Sequence, residues 1–331
     1  MPCFERYLYM KKFIIGIDVG GTKTAYGVFD EKRKILATRR HGSNPKLAPE
    51  EFFDVIVENI QALCSECGIA PNELCGVGIG MPSFIHFEEG HIIKTVNLTR
   101  LKDFHARDYL RRKLGGDIQI VLDNDSHTGA LAEHRHGAGR GFQHILYCPV
   151  STGISSGIII DGQLFHGSYG WSGESGHMIV TPGEGIMCGC ENVGCLMSWC
   201  SGSMIVKHVQ SWIGSGEKTL MTKLAGSPDT ITTEHIGECF IRGDALATRA
   251  VEQMTTFMAV WIYNIYVTLN INCFVFGGGL LNMKGNLLDR IKDKFDAYNK
   301  NDMPVYFKTA ELGENFGIIG AAELIEWGSL T

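Results

Sequence analysis

His177, Cys188, Cys190 and Cys195 are spaced as H-x10-C-x-C-x4-C, the pattern of a metal cage. Three thiolates and one imidazole make a closed tetrahedral zinc set. Gly185, Gly189 and Gly194 allow the tight loop that three close ligands require. Cys200 could replace His177 as the fourth ligand, and a chance cluster in a cysteine-rich chain is the competing account. Asp18-Val19-Gly20-Gly21-Thr22-Lys23 carries different chemistry. Its adjacent glycines let the backbone approach a phosphate, its hydroxyls can donate, and Asp18 can hold magnesium through water. The alternative is a plain hairpin turn; the spacing is not that of a Walker loop. Ser151-Thr152-Gly153 is a second small-residue turn of this kind, and Gly277-Gly278-Gly279 follows the strand-like CFVF, where nucleotides bind in open α/β sheets.

Asp123-Asn124-Asp125-Ser126 follows the apolar run IQIVL and precedes the helical pattern TGALAEHR. Such a cluster can cap the helix by satisfying its free N–H groups. It also sets a carboxylate at the edge of a sheet, placed to take a proton from a hydroxyl. In phosphoryl transfer such a base mostly positions the nucleophile, so an ordinary carboxylate suffices. One aspartate can cap while another catalyses.

The elements that must position these residues can be read from the pattern. From Phe13 the chain reads strand, glycine turn, strand, charged hairpin, strand; then a helix over Pro49 to Cys67, the strand CGVGIGMP, a helix over Asp103 to Leu114, and the strand IQIVLD. The opening recurs as HILYCPVSTGISSGIIIDGQLFHG, with Asp161-Gly162 as a hairpin signal. Two copies of one β-turn-β unit suggest two related lobes sharing a hinge, with the two turns facing each other across a polyphosphate. Phe257 to Phe276 is the most apolar stretch; the asparagines and threonine within it argue for a buried helix to about Val267 and a strand over Cys273 to Phe276, not a membrane span.

Composition excludes some classes. With 331 residues, 44% hydrophobic and 20% charged, there is chain enough for two domains and a full core. A formal net charge of -6 argues against a nucleic-acid partner. The N-terminus lacks the pattern of a signal peptide. The 11 cysteines therefore read as reduced cytoplasmic thiols or metal ligands.

In order, DVGGTK (18–23), GVGIGMP (76–82), NDSHTGALAE (124–133), VSTGISSG (150–157), GESGH (173–177), CGCENVGC (188–195), FGGG (276–279) and GIIGAA (317–322) resemble the ROK family of sugar kinases and sugar-responsive repressors, from about Phe13 to Ile325. The resemblance implies a two-lobed actin/hexokinase-like (ribonuclease H-like) α/β fold, each lobe a mixed sheet with helices on its faces. Residues 10–122 would form the first lobe, completed by a C-terminal helix about 317–331, and 123–316 the larger lobe with the zinc loop. Residues 1–9 match nothing, and Met10-Lys11-Lys12 resembles a natural start.

The activity implied is transfer of the γ-phosphate of ATP to the 6-hydroxyl of a hexose, glucose by default, with Mg2+ and one structural zinc. By motif position Asp125 is the catalytic base, and Asn124, Glu174 and His177 join it in binding sugar. His177 would meet zinc through one ring nitrogen and sugar through the other. Asp18, Gly20, Gly21, Thr22, Lys23, Ser151, Thr152, Gly153, Gly278 and Gly279 match phosphate and nucleotide positions, and a homodimer or homotetramer is implied. The chain departs from the family pattern at Glu191, a glycine position, at Met197, where a sugar-contacting glutamate is usual, and at Ser83, often glycine. An N-acetylated hexosamine or a glycoside is the alternative substrate, and an idle sugar sensor the alternative function. Repressors carry an added helix-turn-helix domain, for which the seventeen residues before Asp18 are too few.

Overall fold

The computed structural model describes residues 12–115 and 118–326. The expected start at Met10 lies outside these residues. Two compact units emerge: one takes the chain up to Gln143, then Gly157–Ser172 and the stretch from Glu311; the other takes His144–Ser156 and Gly173–Ala310.

In the first unit β1 (Phe13–Val19), β2 (Lys23–Phe29), β3 (Ile35–Gly42), β4 (Leu74–Met81) and β8 (Gln119–Asn124) form a sheet of order β3-β2-β1-β4-β8. A smaller sheet joins β5 (Ser83–His86), β6 (His91–Thr95) and β7 (Lys102–His105). β1 and β4 are central because their side chains suit burial on both faces. On one face Ile15, Ile17, Val77 and Ile79 pack with Phe53, Ile56 and Ile60 of the helix Pro49–Glu66 and with Leu110 of the helix Ala106–Leu114.

The other face of β4 is Gly76, Gly78 and Gly80, and the missing side chains admit helix backbone. A Cβ on Gly78 would collide with the Ala321 carbonyl of the helix Phe316–Glu323, and one on Gly80 would lie 2.6 Å from Thr128 Oγ1 of the helix Asp125–His136. The glycine-alternating strand is thus the seat of the two helices that flank Asp18 and Asp125.

In the second unit β9 (Ile145–Pro149) and β13 (Tyr306–Thr309) pair in parallel on either side of the fully buried β12 (Cys273–Gly277). The helix Ala245–Leu269 runs beside them, capped by Asp244, whose carboxylate accepts from the Ala247 N–H at 2.9 Å, and stopped by Asn270 in the left-handed conformation. Its length reflects a buried stripe from Leu246 to Tyr266; no helix among the described residues is long and apolar enough to cross a membrane.

β10 (Gly157–Ile160) and β11 (Gln163–Leu164) form the expected hairpin, with φ 52° at Asp161 and 73° at Gly162, the paired left-handed residues of a type I′ turn. One expectation differs: Asp103 does not begin a helix. It lies in β7, paired with β6, and His105 precedes the helix that starts at Ala106. An aspartate ahead of a helical pattern mimics a cap, and strand pairing with a distant segment won over that local signal.

Candidate functional site

The parallel register of the first unit's sheet aligns Asp18, Gly80 and Asp123 in one row, Asp18 opposite Gly80 and Gly80 opposite Asp123. Asp125 follows β8 as the first residue of the helix Asp125–His136. Burial lifts the Asp18 carboxyl from 3.8 to about 6, and the charge of Asp125 adds to the rise against opposing pulls from Lys23 and Arg40. Asp125 is half-buried at its surface but closely surrounded by protein, and that burial raises its pKa as well. Asp18 packs against Gly317, where a Cβ would stand 2.5 Å from Oδ2. Only a glycine lets that helix start so close to the carboxylate.

The 18–23 turn is closed by the Gly20 N–H on the Lys23 carbonyl at 2.9 Å. Ser43 clamps it, donating Oγ–H to the Gly20 carbonyl at 2.8 Å and its N–H to the Thr22 carbonyl at 2.9 Å. Gly21 lies against Asn97, and Thr22 and Lys23 are exposed.

Asn124, rather than an aspartate, is the cap: its Oδ1 accepts from the Ser126 N–H at 2.8 Å while Nδ2 donates to the Ser83 carbonyl at 3.2 Å. Each polar atom keeps one further hydrogen-bonding position for a ligand. Ser83 itself is buried and donates to the Met81 carbonyl, so serine fits where glycine was expected.

Sequence reasoning missed the support beneath this turn. Asp123 is 2% exposed and its carboxylate accepts from the Asn124 N–H at 2.7 Å, His127 Nδ1 at 2.7 Å and His166 Nε2 at 2.6 Å. The far nitrogen of His127 reaches the Ser172 carbonyl at 3.0 Å, and Phe87 stacks on His166 with centroids 3.9 Å apart. Burial alone would raise Asp123, but the two imidazoles outweigh it and hold the carboxyl down near 2. Burial opposes the charged form of His127 in turn, and Asp123 overcomes that, raising its pKa. The i,i+4 spacing of Asp123 and His127 was the available signal; nothing local announces His166.

In the second unit the 151–153 turn, the glycine turn and a helix start are tied together. The Val150 N–H donates to the Gly277 carbonyl at 2.8 Å, the Leu280 N–H to the Val150 carbonyl at 3.2 Å, and the Gly202 N–H to the Ser151 carbonyl at 2.8 Å. Ser203 Oγ–H reaches the Thr152 carbonyl at 3.1 Å. Gly278 has φ 93° and room for no Cβ beside Val150, and Gly279 opens a short turn ahead of the helix Leu287–Tyr298. Ser151, Thr152, Gly153, Gly278 and Gly279 are therefore gathered near the first turn of the helix Gly202–Gly214, whose N–H groups favour an anion.

Glu174 and His177 share one short turn, Oε2 to Nε2 3.9 Å. The other ring nitrogen of His177 lies 3.4 Å from Cys188 Sγ, and Cys190 Sγ lies 3.6 Å from Cys195 Sγ. The ligand atoms of these four residues all fall within 4.8 Å of one another. A tetrahedron with Zn–S arms of about 2.3 Å has edges of about 3.8 Å, so the set suits zinc with side-chain shifts of an ångström or less. Cys200 is not part of it; its thiol is fully buried and donates to the Met254 carbonyl. Met197 packs its methyl between Gly153 and Gly176, joining the phosphate-type turn to the Glu174–His177 turn.

An N-terminal sheet that ends in two carboxylates beside a glycine turn, and a second α/β unit with its own glycine turns, define an actin/hexokinase-type fold. The chain belongs to the ROK family, whose model matches residues 14–327. It is 30% identical to a glucokinase of Thermotoga maritima, over 95% of this chain and 97% of that protein. The crystal structure of a ROK hexokinase from Thermus thermophilus superposes with TM-score 0.80 at 27% identity, covering 94% of this chain and 96% of that one. A ROK glucokinase from Streptomyces griseus in complex with glucose and AMPPNP gives 0.73 at 27% identity, covering 95% and 99%. A xylose repressor of Bacillus spizizenii is also similar, at 24% identity over 95% of this chain and 77% of that protein.

Proposed function

We propose that this protein is an ATP-dependent sugar kinase acting on the 6-hydroxyl of a hexose or hexose derivative. The observation that carries the reading is Asp125, a carboxylate with a raised pKa at the edge of the sheet, beside Asp18 and a clamped Gly-Gly-Thr turn. Asp125 accepts a hydrogen bond from the attacking hydroxyl and takes its proton as the oxygen bonds to the γ-phosphorus and the bond from that phosphorus to the β–γ bridging oxygen breaks, releasing ADP. The raised pKa makes it a stronger base than a surface aspartate while leaving it able to ionise. Asn124 orients the same hydroxyl region with its remaining donor and acceptor positions, and the buried Asp123 holds Asn124 in place. Asp18, Gly20, Gly21, Thr22 and Lys23 are the phosphate and Mg2+ group of the first unit; Ser151, Thr152, Gly153, Gly278 and Gly279 are that of the second. The magnesium of the nucleotide supplies charge neutralisation at the phosphates.

Zinc on His177, Cys188, Cys190 and Cys195 is structural in this reading. Ligation through Nδ1 would fix the His177 imidazole and leave its Nε2, with Glu174, for a sugar hydroxyl. Met197 cannot accept a charge-assisted bond as a glutamate would, which favours a substrate less polar or bulkier near its anomeric end, such as a glycoside or N-acyl sugar.

The test is coupled ADP release with a panel of hexoses, amino sugars and glycosides, in wild type and Asp125→Asn. The substitution is nearly isosteric, and turnover should fall by at least ~10²-fold with sugar affinity largely kept. Near-normal turnover in the variant would reject Asp125 as base. Sugar binding without ADP release in wild type would favour the sensor reading that similarity to a repressor raises.

A further inference from the structure

We propose that the small sheet β5-β6-β7 carries a second divalent-metal site of zinc class, separate from the cysteine cluster, with His91, His105 and Glu89 as ligands. The register places three histidines side by side: His86 opposite His91, and His91 opposite His105. Residues directly opposite in an antiparallel ladder project from the same face, so a row of imidazoles lies across the sheet. The rings of His91 and His105 have centroids 4.2 Å apart and planes 14° apart. Ligand atoms of Glu89, His91 and His105 all lie within 4.8 Å of one another.

The surroundings suit coordination. The Asp103 carboxylate accepts from His91 Nε2 at 2.9 Å, which fixes that proton and leaves the other ring nitrogen its lone pair. A carboxylate behind a histidine in this manner is the usual support of a ligating imidazole. Glu89 is held on a built turn: its N–H donates to the His86 carbonyl at 3.1 Å, and the Arg107 guanidinium bonds the Phe87 and Glu88 carbonyls. A Cβ on Gly90, at φ 63°, would strike the Arg107 side chain at 2.5 Å, so the turn and its anchor are fitted together. His86 closes the row with a buried Nδ1 that has no hydrogen-bond partner among the described residues. Imidazole with carboxylate suits Zn2+, Cu2+ or Ni2+ rather than Mg2+ or Ca2+. Glu89 and His105 are exposed, so their side chains can turn the near-parallel rings onto one ion, and water completes the shell.

Stacked histidines also occur without metal, and the test separates the two cases. Metal-stripped protein is titrated with Co2+, which reports thiolate ligation by charge-transfer absorption in the near ultraviolet and nitrogen/oxygen ligation by weak visible bands alone. Zn2+ calorimetry gives the stoichiometry. Wild type should show a nitrogen/oxygen site in addition to the thiolate site. His105→Ala should remove the former and leave the charge-transfer band intact, and Asp103→Asn should weaken it by ~10–100-fold. Because His105 is exposed, its replacement leaves the core untouched; far-ultraviolet circular dichroism checks this. If the double variant His91→Ala/His105→Ala binds Co2+ and Zn2+ with the stoichiometry and affinities of wild type, the site does not exist. Neither outcome depends on kinase activity.

Discussion

The Asp123–Asp125 turn and the cysteine loop are both candidate site elements, and they are held in place by opposite means. The turn is over-determined by protein. Asp123 takes three internal hydrogen bonds, Asn124 caps the helix, and the glycine face of β4 brings two helices against it. The loop from Thr181 to Gly194 has almost no core of its own. Met187 is 65% exposed, and Gly183 and Gly189 have open space where side chains would be. Two isolated β-bridges, a few turn hydrogen bonds and the Trp199 Nε1–H on Thr181 Oγ1 at 2.7 Å tie it locally, and its four convergent side chains meet at one point. A carboxylate base must sit in one place to within a fraction of an ångström, which packing achieves. A histidine that contacts substrate at the surface cannot be packed on all sides, and a metal can fix it where a core cannot reach.

The largest expected effect would break the first half of that contrast. His127→Ala leaves Asp123 buried with one imidazole instead of two, and should destabilise the protein by about 3 kcal/mol, the lower end of the ~3–5 kcal/mol for breaking a buried pair. Urea denaturation measures this. The pH dependence has a definite sign. Asp123 is depressed from 3.8 to about 2, so its part is present above 3.8 and lost as pH falls through about 2. His127 is raised from 6.5, so its part is fully present below 6.5 and lost as pH climbs through the higher folded value. The gap between wild type and variant should be widest between about pH 4 and 6.5. A gap that stays constant across pH would mean that His127 acts by packing alone.

For the loop, the corresponding test is removal of the proposed zinc. Cys190→Ser should abolish tight zinc binding, open residues 181–194 to protease, and raise the KM for sugar through His177 more than it lowers kcat. Limited proteolysis with and without chelator reads the first effect, and initial rates the second. A loop equally resistant in the zinc-free variant would show that it is held by packing after all.

Asp18 sharpens the comparison from another side, because there function and stability pull apart. Its pKa is raised from 3.8 to about 6, so folding is favoured below 3.8 and this contribution is lost as pH rises through about 6. Asp18→Asn should therefore stabilise the ligand-free protein at pH 8 by about 1–3 kcal/mol while abolishing the phosphate-site role proposed for it. The gain should vanish near pH 4. A variant that is less stable than wild type at pH 8 would mean that the Asp18 charge is compensated where it sits.

Much of this was legible because the relevant signals are local. DVGGTK, NDSH and the cysteine loop are short runs whose residue types state their chemistry, and alternation or apolar runs mark β1, β4 and β12. What escaped depends on contacts distant in sequence. His166 reaches Asp123 from 43 residues away. The strand at Lys102–His105 exists only because β6 offers it a partner. The choice of His177 over Cys200 was open in the sequence, since both lie near the cluster; the side-chain direction of Cys200, toward Met254, belongs to helix packing that no spacing reveals.

The smallest expected effect falls inside the loop, at Glu191. Glycine was the expected residue there, and the backbone explains why: Glu191 has φ 69°, in the left-handed region that non-glycine residues avoid. Its N–H donates to the Cys188 carbonyl at 2.9 Å, a turn that lets Cys188, Cys190 and Cys195 converge, so the strain lies at the pivot of the ligand set. A side chain in that conformation costs ~1–2 kcal/mol through its Cβ, whereas glycine enters it freely but leaves a more flexible unfolded chain, worth ~0.5–1 kcal/mol. The two terms nearly offset, so Glu191→Gly should stabilise the zinc-bound protein by only about 0.5–1 kcal/mol. It should also slow zinc release to a chelator, because the ligand-bearing turn would then be relaxed in the bound state. Release kinetics with a chromogenic chelator measure this. Faster release from the glycine variant would show that Glu191 contributes something its backbone does not reveal, and that the loop is less dependent on metal alone than its exposure implies.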